Sequence, residues 1–213
     1  GSAHFLAPVG MPLYFQALDE HGLAVQSMRS DTYLHPGERL TCQGCHEPKR
    51  RMEPNRPAST ALALRREPSR IAPPVEGAYP VSFPRLVQPV LDRKCLPCHT
   101  RHAKAPDLSA EPSGEYGWSR AFQSLAPFAW AKHGGNGSLR INKTSRSIAG
   151  QVGARASRLY PMLTAGSHAD RVDLTPEERA RIALWLDTNS NFYGAYHNLQ
   201  AQQQGEAILP TLW

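Results

Sequence analysis

All four cysteines of this 213-residue chain fall in two Cys-x-x-Cys-His sequences, Cys42-Gln43-Gly44-Cys45-His46 and Cys95-Leu96-Pro97-Cys98-His99. Two cysteines three positions apart on one turn can each form a thioether with a haem vinyl group, and the following histidine then lies under the ring to ligate iron. The motif is thus a covalent clamp plus a ligand. Its two copies imply two covalently attached haem c groups, one held by Cys42, Cys45 and His46 and the other by Cys95, Cys98 and His99. Zinc is the competing chemistry, because Cys-x-x-Cys pairs also build tetrahedral sites. Spacing argues against it: residues 46–94, 49 in all, separate Cys45 from Cys95, against the roughly 15–20 of a zinc ribbon. A disulfide pairing would leave the repeated histidine without a role.

The sixth ligand of each iron separates an electron carrier from a catalyst, since an open iron is what haem chemistry on small molecules needs. Seven further histidines are available: His4, His21, His35, His102, His133, His168 and His197. A lone histidine is by default a surface or hydrogen-bonded residue. His168 stands in Ala165-Gly166-Ser167-His168-Ala169-Asp170, a small-residue loop where backbone can approach a porphyrin closely, and is the expected ligand of the second haem. His35, before Pro36-Gly37, can be folded back over the first haem by that turn, with a solvated turn histidine as the even alternative. His133, beside Gly134-Gly135, competes for the same place, while His102 lies too near His99 to reach the opposite face. Met28, Met52 and Met162 are soft alternatives, core filling being the commoner role. Arg29, Arg39 and Arg140 are candidate propionate partners, solvated surface being the commoner fate. Tyr193 and Tyr196 are candidates for packing on a haem edge.

These residues must be positioned by the rest of the chain. Pro12–Leu18 and Leu23–Met28 read as β-like runs joined by Asp19-Glu20-His21-Gly22, a hairpin turn with glycine where φ is positive. Pro36-Gly37 turns into the first motif. Residues 47–80 are rich in Pro and Arg and read as a long surface connection, with a short helical stretch at 59–66. From Ser82, Phe83, Leu86, Val87, Val90 and Leu91 make one apolar helical face that delivers Cys95 at its end, Pro84 fitting the first turn and Pro89 bending the helix. The Gly- and Ser-rich stretch 109–153 carries no assignable regular structure and reads as loop in its middle. Thr175-Pro176-Glu177-Glu178 is a capping box with proline in the first helical position, starting a helix to about Asp187 whose apolar run 182–186 marks it as buried against the second haem.

The fold class expected is therefore α+β: a short N-terminal β-hairpin region followed by a mainly α and irregular c-type dihaem domain. Residues 1–40 form the β-rich segment leading into the first haem, 41–80 the first haem unit and its Pro/Arg-rich connection, and 81–213 a second, cytochrome c-like unit. Hydrophobic residues make up 40% and aromatics 8%, with 19 prolines and 16 glycines, a composition suited to an interior filled partly by non-protein groups. The net charge of +6 is spread along the chain without interleaved aromatics, which is no footprint for nucleic acid. No apolar run reaches the roughly 20 residues of a membrane span. Haem attachment to this motif happens outside the cytoplasmic membrane, so a periplasmic or otherwise extracytoplasmic location is expected, with a leader removed or the chain a piece of something longer. Gly1-Ser2 reads as a cloning scar.

Several segments together resemble the C-terminal haem-bearing region of the hydrazine synthase alpha-subunit-like family of bacterial multihaem proteins. They are Ser2-Ala3-His4-Phe5, residues 12–19, residues 27–33 running through Pro36-Gly37-Glu38 to the first motif, Gly166-Ser167-His168, residues 174–178, and residues 185–194. The resemblance implies a fragment of a longer protein, with a β-rich region ahead of two c-type haems and the second haem a bis-histidine carrier, which fits His99 with His168. This sequence departs at the first haem. Those enzymes ligate their catalytic haem through a tyrosine shortly after the motif, whereas Glu47-Pro48-Lys49-Arg50 follows His46, and no cysteine is left for an additional attachment. The resemblance therefore bears on fold and cofactors more than on reaction.

Three functions from different classes follow. The first is a dihaem carrier, both irons six-coordinate, passing single electrons between a redox partner protein and an attached or associated enzyme domain. The second is a dihaem enzyme, a peroxidase or small-nitrogen-compound oxidoreductase, with an open first haem. The third is a zinc-stabilised binding module.

Overall fold

The computed structural model describes residues 1–28, 30–44, 61–129 and 148–210. The chain is mixed α and β, with two small antiparallel sheets and several helices. Strands β1 (Gln16–Leu18) and β2 (Ala24–Ser27) form the expected hairpin, in the register Gln16 to Ser27 and Ala17 to Gln26 with a bulge before Leu18. Its turn is built by Asp19, whose Oδ1 accepts the amides of His21 and Leu23, each at 2.9 Å, and Gly22 takes the positive φ of +75°. The β-like runs on either side are longer than the strands. Leu13 and Thr32 continue the pairing only as an isolated bridge, so much of the N-terminal segment is extended chain.

The helix expected from Ser82 is two pieces, α1 (Phe83–Leu86) and α2 (Gln88–Lys94), followed by the single turn α3 (Leu96–His99). The break falls at Val87, just ahead of Pro89, as a proline without an N–H requires. Ser82 occupies the N-cap position, but its buried Oγ makes no capping bond. Within 59–66, Leu62–Arg65 forms one 3₁₀ turn.

The stretch 109–153, whose sequence carries no assignable regular structure, contains some before its middle, and the middle expected to be loop, 130–147, lies outside the described residues. A small hairpin of β3 (Pro112–Ser113) and β4 (Trp118–Ser119) leads into α4 (Arg120–Ala129), a ten-residue helix with Pro127 inside it. Ala121, Phe122, Leu125 and Ala129 are its buried side, at spacings of one, three and four that keep them on one helical face. Helices α5 (Gly153–Ala156) and α6 (Leu159–Thr164) follow, then α7 (Pro176–Asp187) and α8 (Leu199–Gln203). The capping box of α7 is formed in full: Thr175 Oγ1 accepts from the Glu178 amide, and Glu178 Oε2 accepts from the Thr175 amide at 2.9 Å.

The core centres on Phe83 of α1, fully buried, with Trp185, Phe122 and Phe192 at ring separations of 5.1, 5.3 and 5.9 Å. The contacts with Trp185 and Phe122 are edge-to-face and that with Phe192 is stacked; aromatic pairs of these kinds add roughly 0.5–1.5 kcal/mol each beyond the area they bury. In α7, Ile182, Ala183, Trp185 and Leu186 are buried as expected, and Leu184 borders a cleft of about 830 Å³ between the first hairpin, α6 and α7.

Asp187, the last residue of α7, fastens the hairpin to the helical part. Its Oδ1 accepts the Ala154 amide at 2.7 Å, its Oδ2 accepts the Ala24 amide at 2.9 Å, and its carbonyl accepts from Gln16 Nε2 at 2.7 Å. Gly153 has a φ of +50° and a Cβ there would overlap this carboxylate, so the close approach of α5 needs glycine. Burial pushes the Asp187 carboxyl above its usual range, partly offset by those two amides. Nearby, Arg155 pairs with Asp19 of the hairpin turn.

Candidate haem-ligand site

The second motif is shaped by the chain on both sides of it. Helix α2 ends with the Cys95 amide on the Leu91 carbonyl at 2.9 Å, and the turn continues with the His99 amide on Cys95 at 3.0 Å. Cys95 is buried and Cys98 exposed. Burial, with help from the Glu178 carboxylate and Cys98, pushes the Cys95 thiol up to about 11. The Cys95 side chain is thus in apolar surroundings that suit a neutral sulfur.

After His99 the chain turns back, with the Ala105 amide on the His102 carbonyl at 2.8 Å. This brings the Pro106 carbonyl to 2.9 Å from His99 Nδ1. A carbonyl can only accept, so Nδ1 carries the proton and the lone pair is on Nε2, the tautomer a metal ligand needs.

His168 faces His99. The ring centroids are 6.2 Å apart, with 34° between the planes. Its loop is held to the end of α6, with the His168 amide on the Met162 carbonyl at 3.3 Å, and its carbonyl starts the next turn by accepting from Arg171 and Val172. A Cβ at Gly166 would stand 3.0 Å from Met162 Cα, so the small residue in this loop is a requirement of close packing. Nδ1 of His168 lies 3.1 Å from Ser167 Oγ. That hydroxyl can accept or donate, so it permits the same tautomer as in His99 without enforcing it. Burial first, and then His99 and Arg171, hold His168 below the usual histidine range, which favours the neutral ring.

Two imidazoles bound to one metal at roughly 2.0–2.1 Å, each with Nε2 about 1.1 Å from the ring centre given C–N bonds of about 1.33 Å, have centroids about 6.3 Å apart. The observed 6.2 Å agrees with that separation. The separation alone also lies within the roughly 4.5–7 Å of ordinary ring contacts. What sets this pair apart is that both Nδ1 atoms have other partners. Cys95, Cys98, His99 and His168 are thus residues of the types that would hold a haem c, at a ring separation compatible with it.

At the first motif, Cys42 is exposed, while Cys45 and His46 lie outside the described residues, as do His133, Met52, Arg29 and Arg140. His35 is exposed in the turn before the motif, its amide on Glu38 Oε2 at 2.8 Å and its ring 5.2 Å from that of Tyr33. Arg39 is exposed. Met28 Sδ accepts the Phe15 amide at 3.2 Å, which gives the thioether a structural partner. His102 is exposed on the turn behind His99, as its proximity requires. Tyr193 sends its hydroxyl to the Tyr116 carbonyl at 2.9 Å, and Tyr196 is fully exposed, so neither packs on the ligand pair.

Two features escaped the sequence reading. Glu178, a capping residue, also approaches Arg93 at 3.4 Å and Lys94 at 3.7 Å, the two residues ahead of Cys95. His4, not weighed as a ligand, has a buried Nδ1 with no hydrogen-bond partner. Among the described residues no group of three or more His, Cys, Asp or Glu side chains is placed to hold a metal ion; the His99 and His168 arrangement supplies two.

Residues 1–47 match the family model of the hydrazine synthase alpha subunit middle domain. The matched stretch runs through the first hairpin and ends one residue past His46. The chain is also 24% identical over 244 aligned residues to hydrazine synthase subunit alpha of Kuenenia stuttgartiensis, an alignment that covers 85% of this chain and 30% of that subunit. The chain thus spans about a third of the length of the relative it resembles. No solved structure matches it.

Proposed function

We propose that the chain is a dihaem c-type electron-transfer module of a longer protein. The observation that carries this reading is the facing pair His99 and His168, 6.2 Å apart with each Nδ1 engaged elsewhere. A haem held there by Cys95, Cys98, His99 and His168 would supply one-electron chemistry. The chain's own part is to hold the two rings. Pro106 fixes the tautomer of His99, the α6 end and Gly166 set the height of His168, and the apolar surroundings of Cys95 exclude water from one edge. His46 would ligate the first haem, with His35 its proposed second ligand. The reading carries with it an extracytoplasmic location and a redox partner, either a separate protein or another part of the same chain.

The test is a pyridine haemochrome assay with low-temperature electron paramagnetic resonance on the ferric holoprotein. Two haems are expected, one lost in Cys95→Ala/Cys98→Ala and the other in Cys42→Ala/Cys45→Ala, with His168→Ala turning the second haem high-spin. A colourless zinc protein, or a second haem left low-spin by His168→Ala, would refute the reading. A second reading, a dihaem enzyme open at the first haem, draws on the match of residues 1–47 to a domain of a protein named as a synthase. A high-spin first haem unchanged by His35→Ala would select it.

A further inference from the structure

The segment that carries His99 is built with one sign of charge. Residues 93–106 contain Arg93, Lys94, Arg101 and Lys104 and no acidic residue. Arg101, His102 and Lys104 are exposed, and Cys98 beside them is exposed too, so this edge of the proposed second haem faces solvent within the basic stretch. Arg171, exposed three residues after His168, stands between the exposed Asp170 and Asp173, so the other ligand loop adds no net positive charge. Among the described residues Arg101, Lys104 and Arg171 form no ion pair, and Arg93 and Lys94 share a single carboxylate, Glu178, whose side chain is only 8% exposed. Of the acids that flank residues 93–106, one is ion-paired and the other hydrogen-bonded, while Asp170 and Asp173 are exposed on either side of Arg171. Asp170 and Asp173 line the cleft between the hairpin, α6 and α7, which Arg171 does not; Asp107 pairs with Arg120 and Asp92 accepts from Gln88.

We infer that this face docks an acidic electron-transfer protein, a partner whose carboxylates match the four cations of residues 93–104 around the exposed edge. The inference rests on the proposed second haem. Complementary charge at a redox edge steers encounter and orients the partner more than it adds affinity. A nucleic acid fits less well, because residues 93–106 offer no aromatic platform between the cations.

The experiment uses the whole reduced holoprotein and two inorganic oxidants of opposite charge, hexacyanoferrate(III) and tris(phenanthroline)cobalt(III). In each reaction one electron leaves ferrous haem and reduces the metal of the complex. The phase missing in Cys95→Ala/Cys98→Ala belongs to the second haem. For that phase the anion's rate should fall about tenfold between low salt and about 0.15 M ionic strength while the cation's does not. Arg101→Glu/Lys104→Glu should remove the anion's advantage with the low-spin spectrum retained, and polyglutamate should slow the anion's reaction only in the unsubstituted protein. Equal salt dependence for both oxidants, as when propionates neutralise these cations, would overturn the inference. So would an oligothymidylate that competes as well as polyglutamate. Failure of the haem reading itself shows separately, as a missing second haem in the haemochrome assay.

Discussion

Replacing Glu178 tests how the two ligand segments are held together. The residue closes the capping box after the His168 loop and reaches the two cations before Cys95, so one side chain joins the chain arriving at each ligand. In Glu178→Ala the Thr175 amide loses its acceptor, worth about 1 kcal/mol for a helix cap. The Lys94 pair, with lysine 31% exposed, adds roughly 0.5–1 kcal/mol, and the Arg93 pair, with arginine 58% exposed, only a few tenths after solvent screening. The sum is about 2 kcal/mol, or about 4–8 °C in Tm for a chain of this size. Glu178→Gln keeps an acceptor for Thr175 and loses only the ionic part, about 1 kcal/mol, so it should fall by about 2–4 °C. Thermal unfolding followed by circular dichroism gives both numbers, and visible spectra should show a high-spin fraction of the second haem in the Ala protein but not in the Gln protein. If the Gln protein melts as low as the Ala protein, the reciprocal cap contributes nothing and the reasoning fails.

Gly166→Ala should push the ligand loop off α6, because the new methyl meets the Met162 backbone at 3.0–3.2 Å and backbone cannot retreat; overpacking of this kind costs about 1–3 kcal/mol. The reduced protein should then bind carbon monoxide faster, and an unchanged rate would refute the assigned position of His168. Asp19 is held down to about 2 from 3.8, first by the Arg155 side chain and then by the Leu23 amide. A lowered folded pKa means its contribution is present above the unfolded value and lost as pH falls through about 2. The denaturant midpoint should therefore drop across that window in the native protein and less in Asp19→Asn. Asp187→Ala leaves the amides of Ala24 and Ala154 without their acceptor, at about 1–3 kcal/mol for each that stays buried. Hydrogen exchange at those two amides should rise sharply while the second-haem spectrum stays as it was.

The parts of this fold that sequence disclosed are those whose signals are local. Thr175 and Glu178 announce the start of α7 because both halves of the cap lie within four residues, and Asp19 with Gly22 announces the hairpin turn for the same reason. Helix α4 was hidden by Pro127 and by the glycines and serines around it, although Ala121, Phe122, Leu125 and Ala129 carried a helical spacing. The facing of His168 toward His99 was anticipated from a small-residue loop, but the acceptor for His99 was not, since every residue has a carbonyl and nothing in the sequence singles out that of Pro106. The structural role of Met28 was equally silent, because a thioether accepting an amide leaves no pattern. Pairings across 85 residues, such as Arg93 with Glu178, depend on tertiary approach and have no period to read.

Helix α7 connects these observations. At its first turn stand the capping box, the cations before Cys95 and the end of the His168 loop; at its last residue stands Asp187, which grips the hairpin of the segment that resembles the hydrazine synthase alpha middle domain. Twelve residues make a strut of about 18 Å, stiffened by Ile182, Trp185 and Leu186 in the core. The N-terminal hairpin and the ligand pair are thus fixed to opposite ends of one rigid element. The hairpin ahead of the first motif is thereby tied to the helix that borders the His99 and His168 pair, a fixed spacing on which the proposed passage of electrons between two haems would draw.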